Sequence, residues 1–133
     1  MEPGLSVADT ALIDAARSVL HPRRLSPSVE VAGVGSALRT ASGAVYLGVC
    51  IDAQCGIGFC AEHSAIAAMI TAGEQRIETI VAVNRDGTVL PPCGRCREFI
   101  AQVDEGNADT RVILALGVRR LKELLPDHWL IKS

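Results

Sequence analysis

Two short cysteine patterns, Cys60-Ala61-Glu62 and Pro92-Cys93-Gly94-Arg95-Cys96, each stand at the head of a stretch with helical periodicity. Cys93 and Cys96 are three apart, so they share one helical face and can grip a single ion. Cys60 and Glu62 are two apart and would diverge along the body of a helix. Both approach one point only if it lies off the helix's N-terminal end, toward which side chains lean. An ion facing the starts of two helices satisfies both spacings. The chain must therefore bring two helix N-termini, far apart in sequence, to one place.

The rest of the sequence leaves room for such a fold. At 133 residues it is expected to form one compact domain over residues 1–133, with a core that needs no disulfide staples. A net charge of -2 and a pI near 5.9 argue against a nucleic-acid partner. The short basic runs at Arg23-Arg24 and Arg119-Arg120-Lys122 read as solvated surface. No apolar run is long enough to span a bilayer, and residues 1–12 lack the basic and apolar regions of a signal peptide. The expectation is a cytoplasmic protein without membrane contact. In that reducing compartment the five cysteines read as metal ligands or buried thiols, not disulfides.

Periodicity predicts a helix over 7–20 and a hairpin of strands 29–38 and 45–51 about the turn 40–43. Residues 54–59 read as a loop. A helix is expected over 60–72, apolar nearly all round and so deeply buried, with Gly73 closing it. A strand over 77–83 ends at Asn84-Arg85-Asp86-Gly87. A helix over 93–103, a solvated loop over 104–109, a strand over 111–116 and a short helix over 119–125 complete the order. Strands separated by helices favour an α/β fold, a partly parallel sheet with helices on its faces. Met69 belongs to the buried helix; His21 and His128 flank element ends and read as surface residues.

Zinc suits three thiolates, and three protein ligands leave a fourth position open for water, which separates catalytic from closed structural zinc. Two helix dipoles at the site are expected to favour the thiolates. Glu62, held off the metal, would take a proton from water and pass it on. Arg95, Arg97 and His63 are candidates to offset the cluster's negative charge, with Arg97 favoured. The arrangement matches a known signature of zinc deaminases. The competing reading is a non-catalytic, zinc-stabilised binding module in which Cys50, Cys55 or His63 supplies a fourth ligand.

Four motifs resemble the small cytidine deaminase family, including its blasticidin S deaminase branch: Gly48-Val-Cys-Ile-Asp52, Cys60-Ala-Glu-His-Ser-Ala65, Pro92-Cys-Gly-Arg-Cys-Arg97 and Glu123-Leu-Leu-Pro126. The likeness runs from about residue 31 to residue 126. It implies a three-layer α-β-α fold with a mixed five-stranded sheet, and a homotetramer whose sites are completed by neighbouring subunits. It also implies a zinc cofactor on Cys60, Cys93 and Cys96, with Glu62 as proton shuttle. The Ala61 N–H would hold the pyrimidine carbonyl. The implied activity is hydrolytic deamination of cytidine, deoxycytidine or a related cytosine nucleoside; a modified nucleoside such as blasticidin S is the alternative. Where the family carries an Asn-x-Glu pair for the ribose, this chain has Cys50 and Asp52. Where it carries an aromatic residue, Ala32 stands near that position, and Phe59 or Trp129 is the candidate to supply the missing ring.

Overall fold

In the computed structural model, which describes residues 4–131, the chain runs α1 (Val7–Ser18), β1 (Arg23–Ser26), β2 (Val29–Thr40), β3 (Val45–Asp52), α2 (Ala61–Thr71), β4 (Ile77–Asn84), β5 (Val89–Leu90), α3 (Gly94–Val103), β6 (Arg111–Leu114) and β7 (Gly117–Arg120). Short 3-10 helices, Glu105–Asp109 and Leu121–Leu124, flank the last two strands. No helix among the described residues is long and apolar enough to cross a membrane.

The sheet is mixed and has seven strands rather than the expected five. β2 pairs antiparallel with β3 on one edge and β4 on the other; β4 pairs parallel with β6, and β6 antiparallel with β7. The two extra strands are short. Glu30 and Val31 pair with β1 as well as β3, so β1 continues the row of β4 beyond its end. Ala82 and Val83 pair with β5, which continues the row of β6. Five rows therefore span the sheet, and two brief segments fill backbone positions left open at the ends of β4 and β6.

Alternation along the strands separates two cores. Ala37, Val81 and Ile113 face Leu12, Ile13 and Ala16 of α1. Their neighbours Leu38, Ile80 and Val112 face Ile66 and Met69 of α2 and Ile100 of α3. The result is the three-layer α-β-α arrangement. α2 lies so close to β3 that a Cβ on Gly48 would stand 2.3 Å from the Ala65 backbone nitrogen. Only glycine permits that approach, and the approach sets where the start of α2 sits above the sheet.

Several local expectations are corrected. Residues 104–109 are not a solvated loop: Asn107 is fully buried, accepting from the Ile77 N–H at 2.8 Å and donating to the Gln75 and Ile100 carbonyls. One amide thus satisfies three backbone groups where α3 ends and β4 begins. Residues 119–125 do not form one helix, because β7 claims the first of them with Val118 buried in the core. α2 is not buried all round; Ala67 is exposed and Ile70 is 47% exposed in the single chain. The His128 side chain, expected at the surface, is only 4% exposed and sits 2.9 Å from Glu98 of α3.

Candidate metal centre and substrate cavity

Cys60 is the N-cap of α2 and Cys93 the N-cap of α3, both with extended backbone, so each side chain projects past a helix start. Cys96 lies one turn into α3 and is fully buried. Cys60 Sγ is 3.6 Å from Cys93 Sγ, and Cys93 Sγ is 3.4 Å from Cys96 Sγ. Tetrahedral zinc with Zn–S bonds of about 2.3 Å would set its sulfurs about 3.8 Å apart, so these two pairs need to spread by only a few tenths of an ångström to reach that geometry. Among the described residues the cluster consists of these three cysteines alone. Cys50 and Cys55 stand outside it, one buried against β2 and the other exposed in the loop before α2. The donor set fits zinc with an open fourth position.

The thiols do not share one electrostatic fate. Burial pushes Cys60 up, and the adjacent Cys93 adds to the effect. Burial likewise pushes Cys96 far up, with the Glu62 carboxylate contributing. Burial pushes Cys93 up as well, but hydrogen bonds from the Cys96 backbone, the Cys96 and Cys60 thiols and the Arg95 backbone together outweigh it and lower its pKa. Without a bound cation, only Cys93 is shifted toward the thiolate. Closely packed thiols cannot all ionise until a cation compensates them.

Glu62, in the first turn of α2, is 5% exposed. Burial raises its pKa above the usual carboxylate value, against smaller opposing pulls from its own backbone N–H and the Cys96 thiol. His63 Nδ1 stands 3.5 Å from Cys96 Sγ, and its ring stacks on Phe99 with centroids 4.6 Å apart. Burial, with the charge of Arg95, lowers the His63 pKa. Arg97, the favoured counter-charge, donates through Nε to the Pro92 carbonyl at 2.8 Å and also reaches the Leu124 carbonyl. It pins the residue before Cys93 to the end of the chain. Arg95 borders the substrate cavity.

That cavity, of about 570 Å³, opens directly over Cys60, Glu62 and Cys93. Ala61, Phe59, Cys50 and Asp52 all line it, so the sequence-derived candidates for substrate contact converge on one space. As the first residue of α2, Ala61 carries an N–H with no acceptor inside the helix. Phe59 is held by paired hydrogen bonds with Ile51, at 2.9 and 3.0 Å. Cys50 has a structural duty as well: β2 bulges between Val31 and Gly35, and the Val34 N–H donates to Cys50 Sγ. Ala32 lies in that bulge with a φ of 61°. Trp129 is outside the cavity, 71% exposed, with Nε1 3.4 Å from Glu98.

Asn84 and Arg85 also line the cavity. Sequence reasoning had treated them only as the turn that ends a strand. Strand ends beside a helix-start site are where such residues would be sought, but nothing in their identity distinguishes them from turn formers.

No family model matches the chain. A cytidine deaminase of Mycobacterium tuberculosis is 33% identical over 97 residues, which span 72% of this chain and 71% of that protein. A blasticidin-S deaminase of Bacillus cereus is 39% identical over 77 residues, spanning 51% of this chain and 55% of that one. Among solved structures, cytidine deaminase from Mycobacterium tuberculosis superposes with a TM-score of 0.79 at 28% identity, covering 93% of this chain and 98% of that chain. The Mycobacterium leprae enzyme gives a TM-score of 0.78 at 28% identity, covering 92% and 100%. With the three-layer fold, the cysteine cluster and these relatives in agreement, the chain belongs to the cytidine deaminase family.

Proposed function

We propose that this chain is a zinc-dependent hydrolase that deaminates a cytosine nucleoside, cytidine or deoxycytidine in the first instance, releasing ammonia. The observation that carries the reading is a cluster of three thiols, two of which, Cys60 and Cys93, line one cavity together with the buried Glu62. Cys60, Cys93 and Cys96 would hold the zinc. When bound there, zinc supplies a Lewis acid that makes hydroxide available near neutral pH. Glu62 moves the proton: its carboxylate takes one from the attacking water and gives it to the ring nitrogen beside the amine-bearing carbon. It then takes the proton of the hydroxyl newly added to that carbon and delivers it to the amine, so that the carbon–nitrogen bond breaks, the carbonyl forms and ammonia departs.

Other residues position the substrate. The Ala61 N–H donates to the pyrimidine carbonyl, and Phe59 forms a wall for the base. Asp52, at the open end of the cavity, accepts from a sugar hydroxyl. Arg97 holds the start of α3 in place and contributes positive charge near the cluster. The exposed Ala67 and Ile70 on α2 support self-association, for which we propose a homotetramer, to be checked by sedimentation.

A second substrate reading has its own support. Cys50 stands where an amide would bind ribose, and the likeness to a blasticidin-S deaminase favours a modified nucleoside. The test is ammonia release from cytidine, deoxycytidine and blasticidin S by wild type and Glu62→Gln, with zinc content measured in both. We expect release by wild type and a loss of about 100-fold or more in the variant, at unchanged zinc. Unchanged ammonia release in Glu62→Gln would overturn the mechanism.

A further inference from the structure

A second, smaller cavity of about 200 Å³ adjoins the first at the end remote from the cysteines. The two share Gly33, Asp52 and Arg85, whereas Cys60, Glu62 and Cys93 line only the larger. Three guanidinium groups, of Arg23, Arg24 and Arg85, border the smaller cavity against two carboxylates, of Glu30 and Asp52. Arg24 is neutralised by an ion pair with Glu30. Arg23 hydrogen-bonds the ring and the backbone carbonyl of His21, and among the described residues no carboxylate pairs with it. Arg85 lies over Gly33, its Nη2 only 3.1 Å from where a Cβ would stand on that residue, and among the described residues no hydrogen bond or ion pair holds its guanidinium. In a chain of net charge -2, this is a local excess of positive charge at the mouth of the substrate cavity.

We propose that Arg85, with Arg23 beside it, forms a subsite for an anionic group, a phosphate or a carboxylate, on the sugar end of the nucleoside. The inference rests on the preceding reading for its orientation: with the amine-bearing carbon over the cysteines, the sugar points toward Asp52 and Arg85. A guanidinium presents a planar fork of donors that matches a carboxylate or phosphate, and it remains charged at any working pH. Gly33 lets the guanidinium lie close against the backbone, since a Cβ there would require it to move by a few tenths of an ångström. Asp52 would take a sugar hydroxyl, leaving Arg85 to the charged substituent.

Calorimetric titration of the zinc-loaded protein with cytidine, cytidine 5′-monophosphate and cytidine 5′-carboxylate at low salt tests this. The expected result is binding of at least one anion about tenfold or more tighter than cytidine, with the advantage lost in Arg85→Gln. Arg85→Lys separates the two sources. A point charge restores attraction to phosphate better than the two-pronged grip on a carboxylate. Equal affinity for all three ligands, an anion preference that persists in Arg85→Gln, or no binding of either anion would overturn the inference. Ammonia release is read separately: its absence alongside an intact, Arg85-dependent anion preference would sink the deaminase reading and leave the subsite standing.

Discussion

The Val34 N–H donates to Cys50 Sγ across 3.3 Å, closing the gap where β2 swings away from β3. The thiol therefore holds one wall of the substrate cavity in shape. Replacing it with alanine removes the acceptor and leaves a small void. Cys50→Ala is expected to cost about 1 kcal/mol in urea denaturation and to raise KM more than it lowers kcat. A variant with unaltered KM would show that the bulge keeps its shape without the sulfur.

Gly48 predicts a larger effect. A Cβ there meets the Ala65 nitrogen at 2.3 Å and the Ala61 carbonyl at 2.6 Å, both rigid backbone. Gly48→Ala should cost about 3 kcal/mol by forcing α2 off the sheet. Because Cys60 caps the start of α2, zinc affinity should fall with stability, as measured by metal competition with a chromogenic chelator.

Acid stability depends on a pair distant from the cavity. Arg111 makes a two-pronged bond to Asp9, with contacts of 2.7 and 2.9 Å, and the Ser6 N–H donates to the same carboxylate. The Arg111 guanidinium is the main cause that lowers the Asp9 pKa from the usual 3.8 to about 2. A depressed carboxylate pKa stabilises the fold above its unfolded value and loses that contribution as pH falls through the folded one. The pair should therefore contribute about 2 kcal/mol above pH 4, declining toward pH 2. Asp9→Asn should be less stable than wild type at pH 6, with the gap narrowing between pH 4 and pH 2 in denaturation curves.

Metal removal distinguishes an open catalytic centre from a structural one. The two apolar cores hold α1, α2 and α3 to the sheet through Leu12, Ile66, Met69 and Ile100, none of which depends on the cysteines. Chelation is expected to abolish ammonia release while far-UV circular dichroism stays close to that of the loaded protein. Global unfolding on chelation, the behaviour of zinc-stabilised modules, would count against this.

The site was more legible in the sequence than the sheet. Cys60 and Cys93 announce themselves because side chains at helix starts lean outward, so their spacing to Glu62 and Cys96 has one geometric solution. The helices were placed within a few residues by their apolar periodicity. β1, β5 and β7 were missed because strands of two to four residues are too short to show alternation. Asn107 escaped notice because its role depends on backbone groups supplied by distant residues, Gln75, Ile77 and Ile100. Arg85 was invisible for a similar reason: its significance comes from the bare backbone of Gly33 across the sheet.

In the bulge of β2, residues 32–34 form no register with β3, so the ladder on that edge does not constrain their identity. The cysteine end of the cavity, by contrast, is fixed by two helix starts and the Gly48 contact. The two ends of the cavity thus rest on separate supports, the bulge with its Cys50 contact at one and the helix starts at the other.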